Sequence, residues 1–292
     1  MPTSWNEIKA AYSALVESAE CGGDVASAWS RFADRVAGTA SKPPYHLATL
    51  LEMLGRVDKP RSEIRILEHG FGSGSALLYL LALGFIRIHG IDLGGPDAAL
   101  NRIAAAAGLA APPFAIYRGP KLPYADGSFD FVFSQQVLEH VAPAVIDAYY
   151  AEEARVLVPG GLAYHQVPHR LVPYDSHTRT WFVHYLPRPI AHRVYRMLGR
   201  DSEVAREHLF LRMPGFHRRQ MRLHFGHCLD VTDGRLRRLK IEGYYDGPAR
   251  VRNLVGKLVN MPVLGAAATA LLKNLLMIDT LSIKQGRPGA ET

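Results

Sequence analysis

A chain of 292 residues, 48% of them hydrophobic, is long enough to bury a sizeable α/β core and too apolar to be disordered throughout. Its two cysteines, Cys21 and Cys228, exclude a disulfide framework, and no run of about 18 uninterrupted apolar residues is present to span a membrane. The formal charge of +7 suits an anionic partner such as nucleic acid, a phosphorylated substrate or an acidic membrane surface.

Met1 to Glu20 shows no basic segment followed by an apolar run, so no secretory signal is expected and the cytoplasm is the expected location. Residues 1–60 read as a helical lead-in of the kind that can cover a cofactor site. Trp5, Ile8, Tyr12, Leu15 and Val16 recur at helical spacing, and Ala26 to Val36 and His46 to Leu54 follow on either side of Pro43-Pro44. From about Ile64 the pattern changes. Strands are predicted at Ile64–Glu68, Ile86–Ile91, Phe114–Tyr117, Phe129–Ser134 and Leu162–Val167, with helices at Ser75–Leu83, Ala98–Ala107 and Ala144–Val156 between them. Strands and helices that alternate at this spacing imply parallel βαβ units.

His169 to Phe225 is rich in His, Arg, Tyr and Pro and too long for a loop, which predicts a helical cap inserted after strand five. Leu239–Tyr245 and Ile278–Lys284 are the expected sixth and seventh strands. Val251–Leu276 reads as an apolar helical region broken at Pro262. Its expected place is buried against the sheet; the alternative is an interfacial helix peripheral to the inner face of the membrane. The expected organisation is a lead-in over 1–60, a cofactor-binding core over 61–168, a basic cap over 169–235 and a return to the core sheet over 236–292.

The first chemical signal is Glu68-His69-Gly70-Phe71-Gly72-Ser73-Gly74, between a strand and a helix. Glycines there allow a sharp turn and close ligand approach, and the helix start offers unpaired N–H groups. Dinucleotide-binding turns use G-x-G-x-x-G, but Ser75 occupies the position of their third glycine. Asp92, at the end of strand two, can accept hydrogen bonds from ribose hydroxyls of either cofactor type. Glu68 discriminates. A carboxylate at the end of a buried strand is costly without a partner; it would repel a pyrophosphate, whereas the cationic methionine end of S-adenosylmethionine (SAM) would offset it.

Four further segments stand in register with that turn. They are Leu122-Pro123-Tyr124-Ala125-Asp126-Gly127-Ser128-Phe129-Asp130, Val137-Leu138-Glu139-His140-Val141, Leu157-Val158-Pro159-Gly160-Gly161, and Asp92 itself. In order and spacing, over about residues 64–168, they resemble the class I SAM-dependent methyltransferases. The resemblance implies an α/β fold: a Rossmann-like, doubly wound, seven-stranded, mostly parallel sheet. It implies that Glu68, Gly70, Gly72 and Gly74 surround the methionine moiety, Asp92 binds the ribose, Leu93 packs beside the adenine, and Ser134 and Gln135 face the transferring methyl. Asp130 reads as structural. Many relatives carry an acidic residue before the Leu-Pro pair, where this chain has Arg118-Gly119-Pro120-Lys121.

An oxygen nucleophile needs a base, and histidine suits that task near neutral pH. Of 13 histidines, His140 and His169 are the expected catalytic candidates, with His165, His177 and His184 behind them. His169, Asp175 and His177 cluster in sequence without diagnostic ligand spacing, so no metal is expected. The cap's arginines, among them Arg170, Arg179, Arg188 and Arg193, interleave with Tyr174, Trp181, Phe182 and Tyr185. Together they suit an anionic, ring-containing small molecule, glycan or lipid intermediate, methylated at oxygen. Two rival readings stay open: a nucleic-acid methyltransferase and a non-catalytic SAM-binding module. Ser134-Gln135-Gln136-Val137 stands where amino-methylating nucleic-acid enzymes place a polar-Pro-Pro-aromatic motif, so no nucleic acid is expected as partner.

Overall fold

The computed structural model describes residues 5–39, 43–200, 203, 208–239 and 249–286, with backbone only at 237–239 and 249–252. The strands are β1 (Ile66–His69), β2 (Ile88–Asp92), β3 (Phe114–Ile116), β4 (Phe129–Gln135), β5 (Leu157–Val167), β6 (Tyr174–Asp175), β7 (Thr180–Trp181), β8 (Gly226–Asp230) and β9 (Ile278–Lys284). Seven of them form one mostly parallel sheet in the order β3-β2-β1-β4-β5-β9-β8, and β6 and β7 form a separate hairpin. The expected doubly wound α/β architecture is therefore the observed one. By its contacts the chain divides into two compact units, residues 1–134 with 155–162 and residues 135–154 with 163–292.

In the first unit, β1 pairs in parallel with β2 and β4, and β2 with β3. Ile66, Leu67, Phe131, Val132 and Phe133 are fully buried, as expected of central parallel strands covered on both faces. The lead-in is helical as its periodicity predicts: α1 (Trp5–Cys21), α2 (Val25–Ala37) and α3 (Tyr45–Leu54). Asp24 caps α2, its carboxylate accepting from the Ser27 N–H at 3.0 Å. α1 and α2 pack on each other and on α5 (Asp97–Ala106), and α2 also meets α4 (Ser75–Ala82).

In the second unit, α6 (Ile146–Val156) precedes β5, and α7 (Arg188–Met197) and α8 (Pro214–Phe225) bear out the helical character of the cap. The cap also holds the β6–β7 hairpin, which its His- and Arg-rich composition did not signal. The antiparallel partner of β9 is β8, which no sequence pattern marks; the expected strand Leu239–Tyr245 is not observed at its start. Leu239 instead ends α9 (Asp233–Leu239), and residues 240–248 lie outside the described ones. Gly-His-Cys-Leu-Asp buries only Cys228, so this edge strand lacks the apolar run that marks an interior one.

The C-terminal segment breaks at Pro262 as expected, into α10 (Ala249–Val259) and α11 (Gly265–Leu272). It is not the buried layer that its apolarity predicted. Val263 is 86% and Leu271 67% exposed, and Leu254 and Leu264 are exposed too. The two helices pack on each other and on α9. That leaves too little partner surface to cover every side of an all-round apolar sequence.

The buried Asp130 at the start of β4 joins strands to loop. Its carboxylate accepts from the Arg65 N–H at 3.0 Å, from Arg65 Nη2 at 2.9 Å and from Lys59 Nζ at 3.0 Å. Burial alone would raise this carboxyl group; the Arg65 and Lys59 contacts outweigh it and hold it at about 2. A depressed carboxyl contributes stability above the ordinary carboxylate range, and that stability is lost as pH falls toward 2. Asp130→Asn should cost about 1–2 kcal/mol at pH 7, allowing for solvent screening of the partly exposed Arg65 and Lys59. The gap from the parent protein should close between pH 4 and pH 2, as urea unfolding at stepped pH would show.

Candidate active site

The glycine turn is fixed by backbone hydrogen bonds. The Gly70 N–H donates to the Ile91 carbonyl at 2.7 Å, and the Gly74 N–H donates to the Phe71 carbonyl at 2.7 Å. Gly70, Gly72 and Gly74 all have positive φ, of 93°, 52° and 78°. At Gly74 any other residue would be doubly blocked. Its backbone is left-handed where α4 begins, and a Cβ would lie 2.5 Å from Leu100 Cδ1. Gly72 faces open space, with nothing within 4 Å of where a Cβ would stand.

Asp92 closes β2 and ties the turn to it. Its Oδ2 accepts from the Gly72 N–H at 2.7 Å, and its Oδ1 from the Leu93 N–H at 2.6 Å and the Gly94 N–H at 3.3 Å. Leu93 is 67% exposed, and Arg118 Nε donates to its carbonyl at 3.0 Å. Glu68 is buried, and its Oε2 has no hydrogen-bond partner. Burial first, and the nearby Asp92 charge second, push its carboxyl group well above the usual range. Phe133 pairs with Glu68 across β1 and β4. The next residue, Ser134, is buried with its hydroxyl unpaired. The lead-in reaches this turn: Tyr12 Oη donates to the Ser73 carbonyl. A cavity of about 280 Å³ beside it is lined by Trp5, Tyr12, Phe32, His46, Ser73 and Ser75.

In the second unit, Gln135 ends β4, and Gln136 follows with φ of 56°. Such a conformation is uncommon outside glycine and tends to mark functional turns. Next comes a tight turn clamped by Arg212, which donates to the Leu138 carbonyl at 2.8 Å and to the Val141 carbonyl at 2.6 Å. The turn presents Glu139 and His140. His140 Nδ1 meets the His208 carbonyl at 2.6 Å, and its Nε2 lies 3.0 Å from His177 Nε2. His177 sits in the β6–β7 turn, its Nδ1 3.0 Å from Asp175 Oδ1. Thr178 Oγ1 donates to Asp175 Oδ2 at 2.6 Å.

Glu139 is fully buried with neither carboxylate oxygen hydrogen-bonded, and burial raises it to about 7. The Asp175 hydrogen bond raises His177, whereas burial lowers His140. Burial would raise Asp175, but the bonds from His177 and Thr178 prevail and hold it at about 2.

The other histidines serve differently. His169 is buried, accepts from the Leu171 N–H at 3.2 Å, and is pushed down by burial to about 4. A neutral ring of that basicity is a weak proton acceptor. His165 is buried against Glu153 at 2.6 Å, and His217 against Tyr150 at 2.8 Å. Of the sequence-level cluster His169, Asp175 and His177, the structure joins the last two, with Glu139 and His140 as their partners. Neither Glu139 nor Asp175 stood among the expected site residues. The adjacent Glu139-His140 pair was the available signal, but the separation of 37 positions from His140 to His177 conceals their meeting.

A family model described as a methyltransferase domain matches residues 67–165. The match runs from β1 through the glycine turn into β5 and leaves the rest of the chain outside it. The SAM-dependent methyltransferase of Mesorhizobium loti is 16% identical, with a TM-score of 0.50, over 82% of this chain and 98% of its own. A geranyl diphosphate methyltransferase in complex with SAM is 11% identical, with a TM-score of 0.48, over 87% and 90%. Phosphoethanolamine N-methyltransferase 2 of Haemonchus contortus, in complex with phosphomonomethylethanolamine and S-adenosylhomocysteine, is 15% identical, with a TM-score of 0.47, over 83% and 54%. The chain thus spans about half the length of that last protein. A search of the curated proteins returns no match.

The first unit offers groups that suit S-adenosylmethionine. Glu68 Oε2 is an unpartnered carboxylate oxygen, as a cationic amino group requires. Asp92 oxygens retain lone pairs beyond their backbone bonds, and Leu93 offers an exposed apolar face. In the absence of cofactor, Glu68 binds a proton over a pH range where the unfolded chain has released it. Stability therefore falls as pH rises above the ordinary carboxylate range toward the raised value. Glu68→Gln should be more stable than the parent at pH 8 but not at pH 4, and should bind S-adenosylhomocysteine roughly tenfold or more weakly. Thermal unfolding at both pH values and calorimetric titration check this; equal curves and equal affinity would remove Glu68 from the site. Asp92→Ala should lower the same affinity by a similar or larger factor while the protein remains folded, read by titration alongside circular dichroism.

Proposed function

We propose that this protein moves the methyl group of SAM to an oxygen of an anionic small molecule, a glycan or lipid-linked intermediate taken from a membrane surface. The observation that carries the reading is apolar exposure in the second unit. Trp181 is 63% and Phe182 53% exposed, and with Tyr174 and Tyr185 they form a row of ring contacts with centroids 5.1–6.0 Å apart. On α7, Ile190 and Met197 are exposed among Arg188, Arg193 and Arg196. The exposed leucines of α10 and α11 add a second such surface. Aromatic rings beside arginines, and apolar helices with a lysine on or just after them (Lys257 in α10, Lys273 after α11), are the composition of segments that lie in a lipid interface. No helix among the described residues is long and apolar enough to cross a membrane.

SAM supplies an already activated methyl group, so the protein's task is to bind, orient and exclude water. In this proposal Glu68, Gly70, Gly72, Gly74, Asp92, Leu93, Ser134 and Gln135 hold the cofactor. The cluster containing His140 and His177 activates the acceptor hydroxyl. The lowered His169 is the weaker of the two catalytic candidates that the sequence marked.

The first test is titration with S-adenosylhomocysteine and, as a control, NADH: binding of the first alone is expected, and His140→Ala should keep it while losing turnover. For the acceptor class, the full chain should co-sediment with phosphatidylglycerol-containing vesicles in a salt-sensitive way. Leu271→Glu with Trp181→Ala should reduce the bound fraction several-fold. Absence of vesicle binding at low salt would turn the reading toward a freely diffusing acceptor.

A further inference from the structure

The cluster that activates the acceptor in the proposed reading has a feature that hydrogen bonding alone does not satisfy. A carbonyl oxygen only accepts, so His140 Nδ1, 2.6 Å from the His208 carbonyl, carries the proton. Asp175 accepts in the same way from His177 Nδ1 at 3.0 Å and also from the His177 N–H at 3.1 Å. Both neutral rings therefore turn bare Nε2 lone pairs toward each other at 3.0 Å. Glu139 Oε1 lies 3.7 Å from one of these nitrogens and 4.0 Å from the other. Two lone pairs and a buried carboxylate with no hydrogen-bond partner converge on one point. Such an arrangement is costly unless a cation stands there.

We propose that Glu139, His140 and His177 bind a divalent first-row transition-metal ion, of which zinc is the type. The three ligand atoms lie within 4.8 Å of one another. Ligands about 2.1 Å from a tetrahedral zinc stand about 3.4 Å apart, so shifts of a few tenths of an ångström complete the geometry. Two imidazoles and one carboxylate favour zinc, cobalt or iron over magnesium. Both rings have the outer partner that metal-bound histidines use, a backbone carbonyl for His140 and the Asp175 carboxylate for His177. Asp175 is itself fixed by Thr178, and the turn bearing Glu139 and His140 by Arg212. Three protein ligands leave a coordination position open. An acceptor hydroxyl bound there would lose its proton at lower pH than in water. That last step rests on the proposed methyl transfer; the metal site does not.

The test is metal binding by the full-length protein, stripped with chelator and free of SAM. One equivalent of zinc should bind at about micromolar concentration or below. Cobalt(II) should give visible absorption bands of a four- or five-coordinate site. His177→Ala and Glu139→Gln should each abolish the bands. Asp175→Asn, which leaves all three ligands, should weaken zinc roughly 10- to 100-fold. S-adenosylhomocysteine titration of the same samples reports whether each variant keeps its cofactor site, so a failed metal site and a failed methyltransferase reading are told apart. No stoichiometric binding by the parent protein, or equal binding by all three variants, overturns the proposal and leaves a shared proton as the cation between the rings.

Discussion

Two carboxyl groups close neighbouring parallel strands, Glu68 in β1 and Asp92 at the end of β2, and the first unit is organised around keeping them there. Asp92 disperses its charge over three backbone N–H groups, and those bonds give the glycine turn its course. Glu68 has no such outlet for Oε2, and burial pushes its carboxyl group well above the usual range. Either a bound proton or an approaching cation offsets the cost of that burial. Gly74, blocked on one side by Leu100, and Tyr12, reaching the Ser73 carbonyl, hold the turn from two directions.

The second unit repeats the theme with different parts. Glu139 is a buried carboxylate without hydrogen bonds, set beside two imidazoles whose outer nitrogens are already engaged. The supporting structure is a hairpin of two-residue strands and one arginine clamp, both outside the common core of the fold. By contrast, His165 with Glu153 and His217 with Tyr150 each pair through one ring nitrogen, and the other nitrogen of each ring is buried without a hydrogen-bond partner. Burial holds His217 down at about 3, and it acts as a neutral packing group. Burial and a single unpaired nitrogen are thus common to several histidines here; what sets His140 and His177 apart is that their Nε2 atoms meet at 3.0 Å beside Glu139.

The apolar C-terminal helices illustrate how composition misleads. A sequence that is apolar on all sides reads as core, yet core status requires partner surface on all sides. α10 and α11 meet chiefly each other and α9, so several of their large side chains face solvent. Exposed patches of this kind in a folded protein mark interaction surfaces.

The sequence by itself determined the fold class, the glycine turn, the carboxylates at 68 and 92, and the strands β1 to β5. These features are local: strand periodicity, glycine spacing and an acidic residue at a strand end are each written within a dozen residues. It also marked His140, because Glu139-His140 falls just after β4. Tertiary structure decided the rest. The edge strand β8 was invisible because one buried residue in five makes no pattern. The union of Glu139 and His140 with His177 and Asp175 depends on a hairpin whose strands are two residues long. Which histidines pair singly and which converge depends mostly on contacts between positions far apart in the chain, and side-chain chemistry at that separation leaves no periodic trace.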